Sequence, residues 1–552
     1  MIEKKIKKAL VFVPHQDDEI NIAGGLIPKL IKEKINVKVI YSTNGDYSVD
    51  GKTRIKECIK ALKILGVSKE NIVLMGYSDQ YSKKDTHLFL TDNNNVWKSE
   101  KGYTETYHPL GGIETAMKYN KKHSLYNKEN FVNDIKSILL HEEAELLFCI
   151  DFDSHADHRA LSLAFEEALG AILNEKETYR PNVYKAFAYP TSYFGFSDLK
   201  EINIKKTKFN TERFSYCEME NPYYSYDKRV RIPLEKKSIS KILYKNSTYK
   251  ALKCHKSQCI IGKTASIING DQIFWRRNTK NLLYDAEIKV SSGNKKRLND
   301  FMLFNCKNIM KGNIATPKLD AYSWIPNEND ISPEINVSFK AEKTLSEIRF
   351  YQSLYGKIKK VLIIADNNYN ITIDFNDNDN INIVKLNNIK TQNIKIKILM
   401  KENNNSGFSE IEIIAPEKQE IKYLKSEING NFAYTYYYNS EEEFRVYAYD
   451  GQESRYLNSN EYELIGKNIE IKDNRIIFKG KKEKITVKLK ENERIYDEIT
   501  IIKLNVGYRF INYLININNK ICITTCYYKQ KILKKIRKIK RKLKSLIKIG
   551  NK

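Results

Sequence analysis

The feature that most limits what this chain can become is an apolar run, Ala9–Val13, that stops against His15, Gln16, Asp17, Asp18 and Glu19. An unbroken apolar run suits a strand covered on both faces, and the pattern after the acids reads as a helix. Open α/β sheets carry their chemistry at such places, because loops from separate segments share the crevice at the strand ends. His15 and Asp18 offer an imidazole and a carboxylate, a mixture suited to a divalent ion such as zinc. Two ligands do not make a site. The same arrangement returns far downstream, where the apolar run Leu146–Ile150 leads into Asp151–Ala160, reading DFDSHADHRA, and then into a helical pattern over Arg159–Leu173.

Together these segments resemble the PIG-L/LmbE family of zinc-dependent N-acetyl-sugar deacetylases. The family's His-Pro-Asp-Asp-Glu motif is matched by His15 to Glu19, with glutamine for proline at position 16. Its His-x-Asp-His motif is matched by His155, Ala156, Asp157 and His158. The resemblance implies zinc held by His15, Asp18 and His158, a general base at Asp17, and a polarising histidine at His155; Asp157 is a candidate carboxylate that orients an imidazole and keeps it basic. Arg54 and Glu57 match an Arg-x-x-Glu helix, and Asp79 a loop acid that contacts the sugar in relatives. Ala251–Gln258, reading ALKCHKSQ, matches a late signature containing His255, and Phe274–Arg277 reads FWRR as in longer bacterial members. Arg54, Asp79 and His255 are the expected substrate residues, with a salt-bridged helix cap as the competing reading for Arg54 and Asp79.

A chain of 552 residues exceeds one core, and roughly 150 residues per domain predicts three or four units. Residues 1 to about 190 alternate β-branched runs with amphipathic segments, which predicts a mostly parallel sheet with helices on both faces, within a Rossmann-like α/β domain expected to span 1–282. Its expected strands include Val37–Tyr41, Asn71–Met75 and Val183–Ala188, and residues 191–280 are expected to close over the site. Residues 283–416 turn to short alternating runs, among them PEINVSF and LSEIRFY, and resemble a discoidin-type, galactose-binding-like sandwich; Gly407–Ile411 stands where that family commonly has Gly-Ile-Ser-Glu-Ile. Residues 417–503 predict a small immunoglobulin-like β unit, whose alternating tyrosines read as cross-strand packing before they read as a sugar platform. The segment 504–528 has no assignment from pattern alone.

The formal charge of +26 is partly local, since Lys529–Lys548 reads KQKILKKIRKIKRKLKSLIK. Ile532, Ile536, Ile539, Leu543 and Leu546 recur at spacings of four and three, so this tail predicts a basic amphipathic helix suited to an anionic membrane surface. Packing on its own domain is the competing reading, and nucleic acid is not an expected partner. The eight cysteines are scattered and suggest no disulfide framework. Cys254, Cys259 and His255 have no common zinc spacing. A charged start and a short first apolar run predict no signal peptide, hence a cytoplasmic protein peripheral at most to the inner membrane face.

The resulting expectation is a zinc-dependent deacetylase acting on an N-acetylglucosamine-type sugar or glycoconjugate, with glycan-binding β domains. Two other functions fit the same residues: a carbohydrate- or membrane-binding protein with a vestigial enzyme domain, and an amide hydrolase acting on a thiol or antibiotic sugar conjugate.

Overall fold

Strand β1 (Lys8–Val13) lies inside a seven-stranded sheet, third from one edge, and Ala9 to Val13 are wholly removed from solvent. The computed structural model describes residues 6–550 apart from 80–94, 154, 189–199, 209–222, 259–268, 304–321, 367 and 418–419. With β2 (Asn36–Thr43), β3 (Ile72–Tyr77), β4 (Leu146–Ile150), β5 (Asn182–Ala186), β6 (Val230–Pro233) and β7 (Asp271–Arg277), the strand order is β3-β2-β1-β4-β5-β7-β6. The first five are parallel and the last two antiparallel. Because β1 pairs with β2 on one side and β4 on the other, the chain reverses its winding between β1 and β4. That reversal opens a crevice at their carboxyl ends. Helices cover both faces: α1 (Asp18–Ala23), α2 (Leu26–Lys32), α3 (Gly51–Leu65), α4 (Thr115–Asn120), α5 (Lys128–Glu142), α6 (Ala156–Glu175) and α7 (Ser247–Leu252), with α5 packed on α6 and α3 on α7.

Three expectations are corrected here. Helix α6 begins at Ala156 rather than Arg159, because His155 caps it: the His155 Nδ1 accepts the Asp157 backbone N–H at 3.2 Å, so His158 lies in the first turn. Strand β5 stops at Ala186. Phe274–Arg277 does not close over the site; it forms most of β7, where Arg277 is buried against Glu166 at 2.9 Å and the Phe301 carbonyl at 2.7 Å. Much of the remaining 191–280 segment, Cys259 included, lies outside the described residues.

The second unit is a six-stranded antiparallel arrangement of β8 (Ala286–Val290), β9 (Glu334–Gln352), β10 (Ile358–Ala365), β11 (Tyr369–Asp374), β12 (Ile381–Lys401) and β13 (Phe408–Ile414). PEINVSF and LSEIRFY, two runs in the sequence, fall largely within the single strand β9. Strand β12 turns a corner at Asn387 and Asn388, both at positive φ, where its register with β9 shifts. Asparagine tolerates that backbone, and the bulge lets one strand serve two layers. Gly407 is fixed by close approach: a Cβ there would lie 1.9 Å from the Trp324 carbonyl oxygen, while Trp324 is buried and exchanges backbone bonds with Phe408. Gly407→Ala is therefore expected to destabilise this unit by about 1–3 kcal/mol, read as a lower denaturant midpoint.

A pair of sheets follows between Tyr423 and Lys503 around a core of its own. Four of its alternating tyrosines pack. Tyr436 and Tyr438 are buried inside the unit, and Tyr447 and Tyr449 join the core of the first domain, the Tyr449 hydroxyl 2.9 Å from that of Tyr184. The unassigned segment 504–528 is the first half of one long helix, α8 (Val506–Gly550). No helix among the described residues is long and apolar enough to cross a membrane, and Cys58, Cys149, Cys254, Cys522 and Cys526 are free thiols.

Candidate active site

The turn after β1 carries His15 to Asp18, and the loop from β4 into α6 carries Asp151 to His158, so the β1/β4 crevice brings the two motifs face to face. The His15 Nδ1 lies 3.0 Å from the Asp18 Oδ2, and the same oxygen lies 3.3 Å from the His158 Nε2. Ring nitrogens of His15, His155 and His158 come within 4.8 Å of one another. Zinc bond lengths of about 2.1 Å put tetrahedral donors about 3.4 Å apart, close to the two separations that Asp18 makes. The donor chemistry also fits. The His158 Nδ1 donates to the Asp153 Oδ2 at 2.8 Å, which fixes the tautomer and turns Nε2 toward Asp18. On the far edge of His15, Nε2 meets the Asp157 Oδ2 at 3.0 Å and the Asp79 Oδ1 at 3.4 Å.

His15, Asp79 and Asp157 form a second group whose atoms could hold a cation. Asp79 is already compensated by the Arg54 Nη1 at 3.4 Å, so its carboxylate suits a partner of the His15 ring better than a ligand. The imidazole that Asp157 meets is that of His15; the Asp157 Oδ2 is 3.9 Å from the His155 Nδ1.

Arg54, buried on α3, reaches the Asp17 Oδ1 at 3.1 Å and the carbonyls of Gln16 and Gly45. Its guanidinium thus clamps Asp17 and Asp79. Gln16, in the proline position, ties the loop by another route, donating from Nε2 to the Thr43 carbonyl at 2.7 Å. Gly45 must be glycine beside it, since φ is +61° and a Cβ would stand 2.2 Å from the Gln16 Oε1. His255 is fully buried behind the cluster, with its Nε2 2.8 Å from the Glu19 Oε1. The loop carrying it is pinned to α3, because Glu57 accepts from the Ser257 amide at 3.0 Å and hydroxyl at 2.6 Å. The Arg-x-x-Glu helix therefore supports both the acid turn and the His255 loop.

Charge follows this geometry. Burial and the neighbouring Asp18 charge push the Asp17 carboxyl up to about 6, against the pull of Arg54. Burial would also raise Asp18, but His158 and His15 hold it well below the usual carboxylate range. Burial opposes protonation of His158, yet Asp153 and Asp18 raise it to about 9. His155 goes the other way: burial and the charges of His15 and His158 lower it to about 4. It is neutral at pH 7, and because Nδ1 accepts the Asp157 amide, its proton belongs on Nε2.

Two supports escaped sequence reasoning. Asp153, inside the DFDSHADH stretch, orients His158. Asp46 holds the Asp79 loop, accepting the Asp79 amide at 2.8 Å and the Tyr107 hydroxyl at 2.7 Å. Their only sequence signal is proximity to a strand end.

Residues 10–169 match the family model described as PIG-L: GlcNAc-PI de-N-acetylase. No curated protein matches the chain. Among solved structures, the chain is similar to the zinc-inhibited form of teicoplanin deacetylase Orf2, at 15% identity and a TM-score of 0.30 over 49% of this chain and 97% of that one. It is also similar to the family 32 CBM of C. perfringens NanJ in complex with galactose, at 15% identity and a TM-score of 0.18 over 24% and 95%. A fucose-binding module of Streptococcus pneumoniae, SpX-3, gives 14% identity and a TM-score of 0.19 over 25% and 98%.

Proposed function

Residues 10–169 are a PIG-L family domain, and from that premise we propose that the chain is a zinc-dependent hydrolase that removes the acetyl group from an N-acetylglucosamine-type sugar or glycoconjugate. What supports this reading is that one Asp18 oxygen lies 3.0 Å from the His15 Nδ1 and 3.3 Å from the His158 Nε2, with His158 oriented by Asp153. These three residues would hold the ion, leaving a fourth position for water. A zinc ion bound there supplies Lewis acidity and a water whose pKa falls to about 7.

The chain's own groups do the rest. Asp17 accepts the proton of the attacking water and returns one to the departing amine; a carboxyl raised to about 6 is well matched to both transfers near neutral pH. His155 donates a hydrogen bond from Nε2 to the oxyanion that develops on the acetyl carbonyl. It acts as a neutral imidazole, since burial and the charges of His15 and His158 lower it to about 4. Arg54 is a positioning residue that keeps Asp17 aimed, and Asp79 shares that clamp while facing His15. His255, through Glu19, braces the turn from behind instead of contacting the sugar.

The deciding experiment is acetate release from a panel of N-acetylated glycans and from nucleotide- and lipid-linked acetamido sugars by the purified, zinc-loaded chain. Release that a chelator abolishes and zinc restores is expected; no release from any member would favour a vestigial enzyme domain. Asp153→Asn is expected to weaken zinc binding about 10- to 100-fold through loss of the His158 orientation, measured by competition with a chelating dye. Unchanged affinity would remove Asp153 from the assignment.

A further inference from the structure

Helix α8 has two faces set opposite one another. One is docked: the Asn512 Nδ2 donates to the Lys200 carbonyl at 3.0 Å, the Asn519 Nδ2 donates to the Lys241 carbonyl at 2.7 Å, and Ile523 is buried with Leu243 and Tyr249. The other is exposed and mostly apolar, with Lys535 in line with Ile517. Phe510, Ile517, Ile521, Tyr528, Ile532 and Ile539 are each between 40% and 60% exposed. At 3.6 residues per turn these six fall within an arc of roughly 60°, centred about half a turn from Asn512, Asn519 and Ile523. The stripe therefore continues well past the tail in which the sequence shows it, into the half of the helix that is fastened to the body.

We propose that this stripe is a membrane-surface contact that lays α8 along an anionic bilayer, with the catalytic domain held on the opposite side. Charge complementarity selects this occupant. Between Lys529 and Lys548 the sequence has eleven lysines and arginines and no acid, which suits anionic lipid headgroups flanking a buried apolar stripe. A second copy of the chain would set these like charges against each other, and nucleic acid would leave the apolar stripe uncovered. Tyr528 is of the aromatic kind that settles at the headgroup level, and Phe510 suits the apolar face of an interfacial helix. The docked face also places the catalytic domain. Tyr249, whose hydroxyl is 3.7 Å from the Cys522 sulfur, belongs to α7, and the neighbouring Thr248 hydroxyl donates to the Gly24 carbonyl at 3.2 Å. Only α7 thus separates α8 from the end of α1, the helix that begins with Asp18.

The test is co-sedimentation of the full chain with vesicles of phosphatidylcholine alone or containing 30% phosphatidylglycerol, beside the double variant Ile521→Glu/Ile532→Glu and the charge variant Lys529→Gln/Lys531→Gln/Lys535→Gln. These side chains are exposed, so melting temperature and acetate release from a soluble substrate should match the unaltered chain. Binding that needs phosphatidylglycerol, falls with salt and drops at least tenfold in both variants is expected. Equal partitioning of the variants and the unaltered chain would overturn the proposal. So would equal binding to the two vesicle types, or an exposed face used only for self-association, seen as a dimer in sedimentation velocity that the double variant abolishes.

Discussion

Asp17→Asn is expected to lower turnover on an N-acetyl sugar by about 10²- to 10⁴-fold, the range of a lost proton-transfer group, while the chain keeps its zinc. The substitution is nearly isosteric. It leaves His15, Asp18 and His158 in place and lets the Arg54 guanidinium still meet an oxygen at position 17. What disappears is the ability to take a proton, because an amide is not a base. His15→Ala should behave differently, losing a ligand, the seat of the Asp157 contact and turnover together. The measurements are single-turnover acetate release and bound zinc per chain. An Asp17→Asn protein that works at nearly the normal rate would move the base elsewhere, and one that loses zinc would make Asp17 part of the ligand set.

How far the sequence discloses this molecule depends on whether a residue's role is local. His15 and Asp18 sit three apart on one turn, directly after a strand whose apolar run marks it, so their chemistry is readable. Asp153 is not readable in the same way: it reaches His158 across the entry to α6, and its contribution depends on where the cap at His155 starts the helix. The link from Glu57 to Ser257 spans 200 residues and two motifs that look independent on the page. Segment 504–528 hides for another reason. Amphipathic patterning looks for an apolar face turned inward, whereas the docked face of α8 is built largely of asparagines that bond to backbone carbonyls. FWRR misleads in the opposite direction, since a motif shared with relatives need not touch substrate; here its last arginine neutralises Glu166 beneath the sheet. In the second unit, β9 and β12 read as separate short strands because register shifts interrupt the alternation that marks a strand.

Removal of the Arg231 charge is expected to give the largest loss of stability. Arg231 lies on β6, is 2% exposed, and bridges the Asp271 carboxylate of β7 at 2.6 Å and the Glu427 carboxylate of the third unit. Its Nη2 also donates to the Gly430 carbonyl at 2.9 Å, and its guanidinium carbon stands 3.8 Å from the centre of the Phe432 ring. Burial disfavours the charged guanidinium, but the two acids outweigh it and raise its pKa further. Arg231→Met keeps much of the side-chain volume yet strands two carboxylates in a buried seam. Breaking such a pair on one side costs about 3–5 kcal/mol, whereas replacing all its members by apolar residues is often neutral. The single variant should therefore show a markedly lower urea midpoint and early proteolytic release of the third unit, and Arg231→Met/Asp271→Leu/Glu427→Leu should recover much of that loss. If the triple variant is no better than the single one, the seam is held by the bond to Gly430, the Phe432 ring contact and the Thr207 amide that Asp271 accepts at 2.7 Å, and compensation of charge is not what makes Arg231 necessary.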